Sequence, residues 1–221
     1  AEVLKVKKAK IAITTAADNP HIIGSKFLGI FIFIFSIIKL YTFLKLKNMI
    51  SKFLNRIIRA IKIDVDLYEE VEADKKATIQ AGAVVVLSSL AAGVGAIHLG
   101  ASNLLIAPIL SLLSWYIWAY IIYIVGVKLF PDPQTKSNHG ELLRTIGFSS
   151  APGIIRVFGI TPTLMTVTFI GSAFWMLACM VVAVKSALDY KSMWKALGVV
   201  IVAWFIQAFA LFLILFLFRG F

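Results

Sequence analysis

Apolar runs separated by short charged stretches set the pattern of this chain. Four runs, roughly 77–97, 104–127, 162–184 and 196–218, are long enough to cross a bilayer as α-helices. The first is rich in small residues, with Ser89 and Gly93, and Ala92 and Ala96, paired at small-xxx-small spacing. Such pairs let helix backbones approach closely in lipid, so this helix is expected at the centre of a bundle. The second carries Trp115, Tyr116, Trp118, Tyr120 and Tyr123. Trp115 and Trp118 fall near mid-span, away from the interfaces where aromatic belts form. Tyr116, Tyr120 and Tyr123 share a face, either as a packed aromatic seam or as the lining of a polar cavity. His98, in the short uncharged link after the first run, reads as an interfacial histidine.

Between the second and third runs lies HGELLRTIGFSSAPGIIRVFGITP, residues 139–162. It is about as long as a span but carries Glu141, Arg144 and Arg156, and Ser149, Ser150, Pro152 and Gly153 interrupt its middle. Charge inside a bilayer is costly, so this segment is either an excursion outside the membrane or a functional element within it.

Ahead of the first run the period is again helical. Ile50, Phe53, Leu54, Ile57, Ile58 and Ile61 fall on one face, and Lys52, Arg56, Arg59 and Lys62 on the other. The pattern predicts a helix over 49–63 lying in the membrane interface with its basic face toward anionic headgroups. A helix packed on the membrane domain fits the same pattern. Six carboxylates follow in residues 64–74: Asp64, Asp66, Glu69, Glu70, Glu72 and Asp74. They lack the glycine and spacing of an EF-hand loop and read as a solvated helical lead-in.

The first 48 residues differ from the rest, with eight lysines and neither arginine nor tryptophan. Their run 27–44 is apolar except for Lys39. An additional membrane helix, a secretory signal and translated upstream sequence all fit; no A-x-A-like cleavage site follows the run. The last reading, with Met49 as the native start, is preferred. The expected organisation is therefore an extension over 1–48, an amphipathic helix and acidic segment over 49–76, and a membrane domain over 77–221.

Composition supports a lipid environment. Sixty per cent of the residues are hydrophobic, more than a soluble domain of 221 residues can cover. The net charge of +11 gathers between the apolar runs, which excludes the stripe of a nucleic-acid-binding surface and fits loops held at an anionic leaflet. With residues 49–76 in the cytoplasm, Lys128 and Lys136 also fall inside. Lys185, Lys191 and Lys195 return inside only if residues 141–160 cross the membrane. The expected fold is thus an all-α membrane bundle of five spans, the third short and broken at Pro152 and Gly153. Arg144 then snorkels at the inner interface and Arg156 lies near the outer one. A re-entrant hairpin turning at Pro152 is the rival.

The single cysteine, Cys179, lies in an apolar run and excludes an internal disulfide. No nucleophile–base pair, metal-ligand cluster or phosphate loop is present, so no catalytic, cofactor or metal site is expected.

The string GELLRTIGFSSAPGIIRVFG, the Trp-containing span after it, VAVKSALDYKSMWKALGVVIVAW and the lead-in IIRAIKIDVDLYEEVEADKKATIQAGAVVVLSSLAAGVGA together resemble prokaryotic members of the Yip family. This is the Ypt/Rab-interacting-protein, or "Yip-one", domain. The resemblance covers about residues 50–218. It implies a cytoplasmic N-terminus, five membrane spans and residence in a bacterial cytoplasmic membrane. Eukaryotic relatives act in vesicle trafficking with small GTPases, a role that does not carry over to the acidic stretch here. The expected function is non-enzymatic membrane organisation or partner recruitment through residues 49–63. Its partners would be the bilayer, anionic headgroups, other proteins or a second copy of the chain. The alternative is a small transporter with a midplane site at the broken helix, lined by Arg144, Ser149, Ser150, Pro152, Gly153, Arg156, Tyr120 and Gln207.

Overall fold

The computed structural model describes residues 4, 7, 8, 10, 11, 23–100 and 103–218. Among them every regular element is helical. The chain divides into two compact units, Ala1–Leu54 and Asn55–Phe221. Helix α1 runs from Ile23–Ile61 without a boundary at Met49, so the basic helix expected over 49–63 is the end of a longer one. Part of the apolar run 27–44 has side chains outside the described residues.

In the second unit, the last turns of α1 reverse at Ile63, whose φ of 59° is strained for a β-branched residue. The reversal is tied by hydrogen bonds from Ile63 N to Ala60 O at 3.0 Å and from Asp64 N to Arg59 O at 3.1 Å. Asp64 then caps α2, Val65–Ala73, accepting from Asp66 N at 3.1 Å. The acidic stretch is thus helical, as expected, but Leu67, Tyr68 and Val71 are buried along it.

Among the described residues four helices are long and apolar enough to cross a membrane. The first is α3, Ala77–Gly95. The second is α4, Asn103–Tyr123, which continues through a π-helical stretch, Ile124–Leu129. Between α3 and α4 come a 3-10 turn, Ile97–Leu99, and Gly100 at a φ of 123°. The segment 139–158 is split into α5, His139–Ser149, and a 3-10 helix, Ala151–Phe158. The third and fourth apolar helices are α6, Pro162–Ala187, and α7, Met193–Phe218. Thr161 caps α6, and Pro162 occupies the first turn, where its missing N–H costs nothing.

Glu141 has a local explanation. It forms a capping box with Asn138, whose side chain accepts from Glu141 N at 3.1 Å while Glu141 Oε2 accepts from Asn138 N at 3.0 Å. The carboxylate therefore starts α5. From Leu142 to Ser149 every residue is buried, as are Ala151, Pro152 and Gly153. The charged segment is accordingly an interior element, packed against α3, α4 and α6.

Small residues make that packing fit. A Cβ on Gly147 would lie 2.6 Å from Ala81 Cβ, and one on Gly95 would collide with the Arg156 carbonyl oxygen. The small residues of α3 thus receive α5 and the 3-10 helix at backbone contact. A continuous core joins Ala119, Ile122 and Val125 of the second apolar helix to Leu142 and Ile146 of α5, Val184 of α6 and Val199 of α7. Among the described residues of α7 the last buried one is Ala203. The core is therefore concentrated toward the start of α7 and the end of α6.

Candidate functional site

The residues expected to form a surface for headgroups separate into two kinds. Lys52 and Lys62 are exposed, but Arg56 is 1% exposed. Its guanidinium donates from Nε to Glu70 Oε1 at 3.0 Å, from Nη2 to Asp74 Oδ2 at 2.8 Å and from Nη1 to Gln80 Oε1 at 2.8 Å. Arg59 donates from Nε to Asp64 Oδ2 at 2.6 Å and from Nη1 to Glu70 Oε2 at 2.5 Å. The expectation that Arg56 and Arg59 face headgroups is corrected: the acidic helix folds back and takes both guanidiniums. The Arg59 guanidinium holds the Asp64 carboxyl below its ordinary range. Burial pushes the Glu70 carboxyl up, but hydrogen bonds from Arg56 and Arg59 outweigh it and the net shift is downward.

Arg144 is also an internal structural group. It is 6% exposed, and its Nε donates to Val71 O at 2.9 Å and Glu72 O at 3.0 Å, with Nη2 also on Glu72 O. These carbonyls end α2, where the helix dipole is negative and the last C=O groups lack helical partners. The expectation of a snorkelling Arg144 is corrected, because its charge is spent as a helix cap.

The Glu72 side chain lies in a more acidic setting. Burial, with Glu141 and Asp189 adding to it, pushes its carboxyl up to about 7. The folded value exceeds the unfolded one, so this contribution to stability is complete below the unfolded pKa and is lost as pH rises through about 7. Glu72→Gln is therefore expected to match wild type in acid and to gain roughly 1 kcal/mol above neutrality, after allowance for solvent screening. Thermal unfolding from pH 5 to pH 8.5 reads this; a gap that does not widen with pH rules it out.

The break between α5 and the 3-10 helix is serviced by side chains. Ser149 Oγ donates back to Ile146 O at 2.7 Å, and Trp115 Nε1 donates to Leu143 O at 3.0 Å. Trp118 Nε1 reaches Met180 Sδ at 3.0 Å. The two tryptophans at mid-span thus have polar partners inside the bundle rather than at an interface. Ser149 is buried and turned to its own backbone, and Gly153 lets Ser88 Oγ and Met176 Sδ come close.

Beside the break is a cavity of about 680 Å³. Ser150, Arg156 and Gln207 line it, so three of the expected path residues meet there. Arg144, Ser149, Pro152, Gly153 and Tyr120 are not among its lining residues. Tyr120 instead stacks on Tyr123 at 6.4 Å and meets the His139 ring edge-on at 5.6 Å, so the tyrosines cluster on His139, with Tyr116 and Tyr120 exposed rather than packed. Sequence reasoning missed the other polar walls, Ser88, Ser89, Ser111 and Ser114. Ser89 stood out only as a small residue, and the unexplained mid-span tryptophans were the available signal, since Trp115 and Trp118 both line the cavity.

Arg156 is the one cation in the cavity wall. It donates from Nε to Ser172 Oγ at 2.7 Å and from Nη2 to Met176 Sδ at 3.4 Å, and stands over the Phe169 ring at 5.2 Å. Among the described residues no carboxylate pairs with it. No group of three or more potential ligands that could hold a metal ion occurs among the described residues. No family model, curated protein or solved structure matches this chain.

Proposed function

We propose that this chain is a non-enzymatic, five-crossing membrane protein of the Yip kind that acts by binding a ligand within its membrane domain. Four helices are apolar and long enough to span. The fifth crossing is α5 together with the 3-10 helix. At about 1.5 Å and 2.0 Å per residue, their 11 and 8 residues laid end to end reach roughly the thickness of a hydrocarbon core. Burial of this segment among α3, α4 and α6 supports a crossing, because its polar groups are met by protein rather than lipid. In this arrangement residues 55–76 lie on the cytoplasmic side.

The observation that carries the functional reading is the cavity at the break, with Ser150, Arg156 and Gln207 in its wall. A concave site with few polar groups among apolar walls, between helices of a bundle, is the usual form of a ligand site. Recruitment through the basic end of α1 loses weight, because Arg56 and Arg59 are engaged internally. A transporter-like or carrier-like role is favoured over a purely organising one.

Two measurements test this. Reporter fusions are expected to place residue 160 outside and residue 190 in the cytoplasm; a cytoplasmic signal at 160 removes the fifth crossing. Screening solutes and lipids for thermal stabilisation of the purified chain should find a ligand whose effect is lost in Gln207→Trp, which fills the cavity. A ligand that stabilises both proteins equally would place binding elsewhere.

A further inference from the structure

The charge balance around Arg156 says what kind of ligand the cavity takes. From residue 77 onward the chain contains only three carboxylates, Asp132, Glu141 and Asp189. Asp132 is paired with Lys195, and Glu141 is held in the capping box. Asp189 lies beyond the end of α6, whereas Arg156 reaches Ser172 and Met176 in the body of that helix. Among the described residues Arg156 thus makes no ion pair with this part of the chain. Its acceptors are a hydroxyl, a thioether and a ring face, all uncharged. A guanidinium has more N–H donors than these use, and it favours bidentate contact with phosphate or carboxylate. A cation left without an anion in a mostly apolar cavity is costly, and an anionic ligand relieves that cost.

The shape of the cavity indicates where such a ligand comes from. Leu177, Ile201 and Trp204 line it and are nevertheless 42%, 44% and 67% exposed, and Ser114 is exposed too. All four belong to apolar helices able to span, so the mouth opens sideways on the face those helices turn to lipid. The interior near the mouth is formed by Trp115, Trp118, Met176 and Met180. Indole and thioether surfaces of this kind suit a flexible hydrocarbon chain. The volume of about 680 Å³ falls among small-ligand sites. Arg156 also sits at the far end of α3 from Lys76, since its carbonyl abuts Gly95. From there the guanidinium turns inward to Ser172 and Met176, and Met176 Sδ and Ser88 Oγ of mid-α3 both flank Gly153, so an anionic group meets it below the outer end of α3.

We infer that the cavity binds an anionic amphiphile drawn from the bilayer, its phosphate or carboxylate on Arg156 and its hydrocarbon chain among the tryptophans. This rests on the membrane-cavity reading proposed above. Three of the five tryptophans, Trp115, Trp118 and Trp204, line the site, so their fluorescence reports occupancy.

The full chain is reconstituted in phosphatidylcholine vesicles and titrated with brominated phosphatidylglycerol or brominated phosphatidylcholine. Quenching is expected at roughly tenfold lower mole fraction for the anionic lipid, the difference that one charged hydrogen-bonded pair confers. Arg156→Gln should remove the preference and Arg156→Lys should keep most of it. Ser114→Phe, at the exposed mouth, should weaken quenching by both lipids while leaving Arg156 in place. It keeps the test valid if Arg156→Gln fails to fold. Equal quenching by both lipids, with Ser114→Phe still protective, overturns the anionic ligand and leaves the cavity reading standing. Quenching unaffected by Ser114→Phe overturns both. Reversal of the preference by millimolar inorganic phosphate, with no effect of chloride, would mark a site for soluble anions and overturn the lipid assignment.

Discussion

Replacing Arg56 with alanine is expected to lower stability by about 3 kcal/mol, the scale at which a buried ion pair is broken by removal of one partner. The magnitude follows from what remains. Glu70 and Asp74, with side chains 35% and 29% exposed, lose a shared donor, and Gln80 loses its acceptor role. Partial exposure of the two acids keeps the cost from rising further. Arg59 still holds Glu70 from the other side. Arg56→Lys keeps the charge but not the fork that serves Glu70, Asp74 and Gln80 together, so it should recover less than half of the loss. Denaturant or thermal unfolding in mild detergent measures both. An Arg56→Ala protein within 0.5 kcal/mol of wild type, roughly the scale of a plain surface change, would show that the network is ornamental.

Gly147→Ala and Gly95→Ala are expected to destabilise, although glycine to alanine within a helix ordinarily gains about 1 kcal/mol. At Gly147 the new methyl meets Ala81 Cβ at 2.6 Å and the Ala81 Cα and carbonyl carbon at 3.1 Å. Those are helix atoms, not the flexible end of a side chain. At Gly95 the obstacle is the Arg156 carbonyl oxygen, with Gly159 Cα at 3.4 Å behind it. Either change must push α3 away from the segment 139–158, at a cost of about 1–3 kcal/mol for overpacking. Gly171→Ala and Gly198→Ala provide the control. Nothing lies within 4 Å of either added methyl, so both should raise the melting temperature. Equal behaviour of all four variants would remove the close-approach argument.

Those glycines also mark the limit of what is readable from sequence. Gly147 and Gly171 both sit inside helical patterns, and only the packing partner separates them. The four apolar helices were legible because length and hydropathy alone define them. The small-residue content of α3 was legible too, but the pairs read from spacing, Ser89 with Gly93 and Ala92 with Ala96, are not those that receive the segment 139–158; Ala81, Ser88 and Gly95 are. The basic face at Arg56 and Arg59 was misread for a physical reason. Helical periodicity shows which side a charge occupies, not what stands opposite. The missing information was nearby: acids 14 and 18 residues later carry the opposite charge, and a strained turn at Ile63 brings them back. Arg144 was harder. Its acceptors are backbone carbonyls 72 and 73 residues away, which no side-chain pattern reveals. Arg156 lines the cavity, as the transporter alternative expected, but the serines of α3 and α4 in the same wall were not distinguishable from packing residues.

The uneven core has a mechanical consequence. Beyond Ala203 no described residue of α7 is buried, while the start of the same helix is held in the main core. Such a helix is clamped at one end and, among its described residues beyond Ala203, only Gln207 is half-covered by protein. With few protein contacts to fix that stretch, a mismatch between helix length and bilayer thickness is expected to be taken up there. Trp204 and Gln207 ride on that unclamped stretch and form part of the cavity wall. The width of the opening is then expected to vary with bilayer thickness, because one wall of the gap between α4 and α7 lies on that stretch.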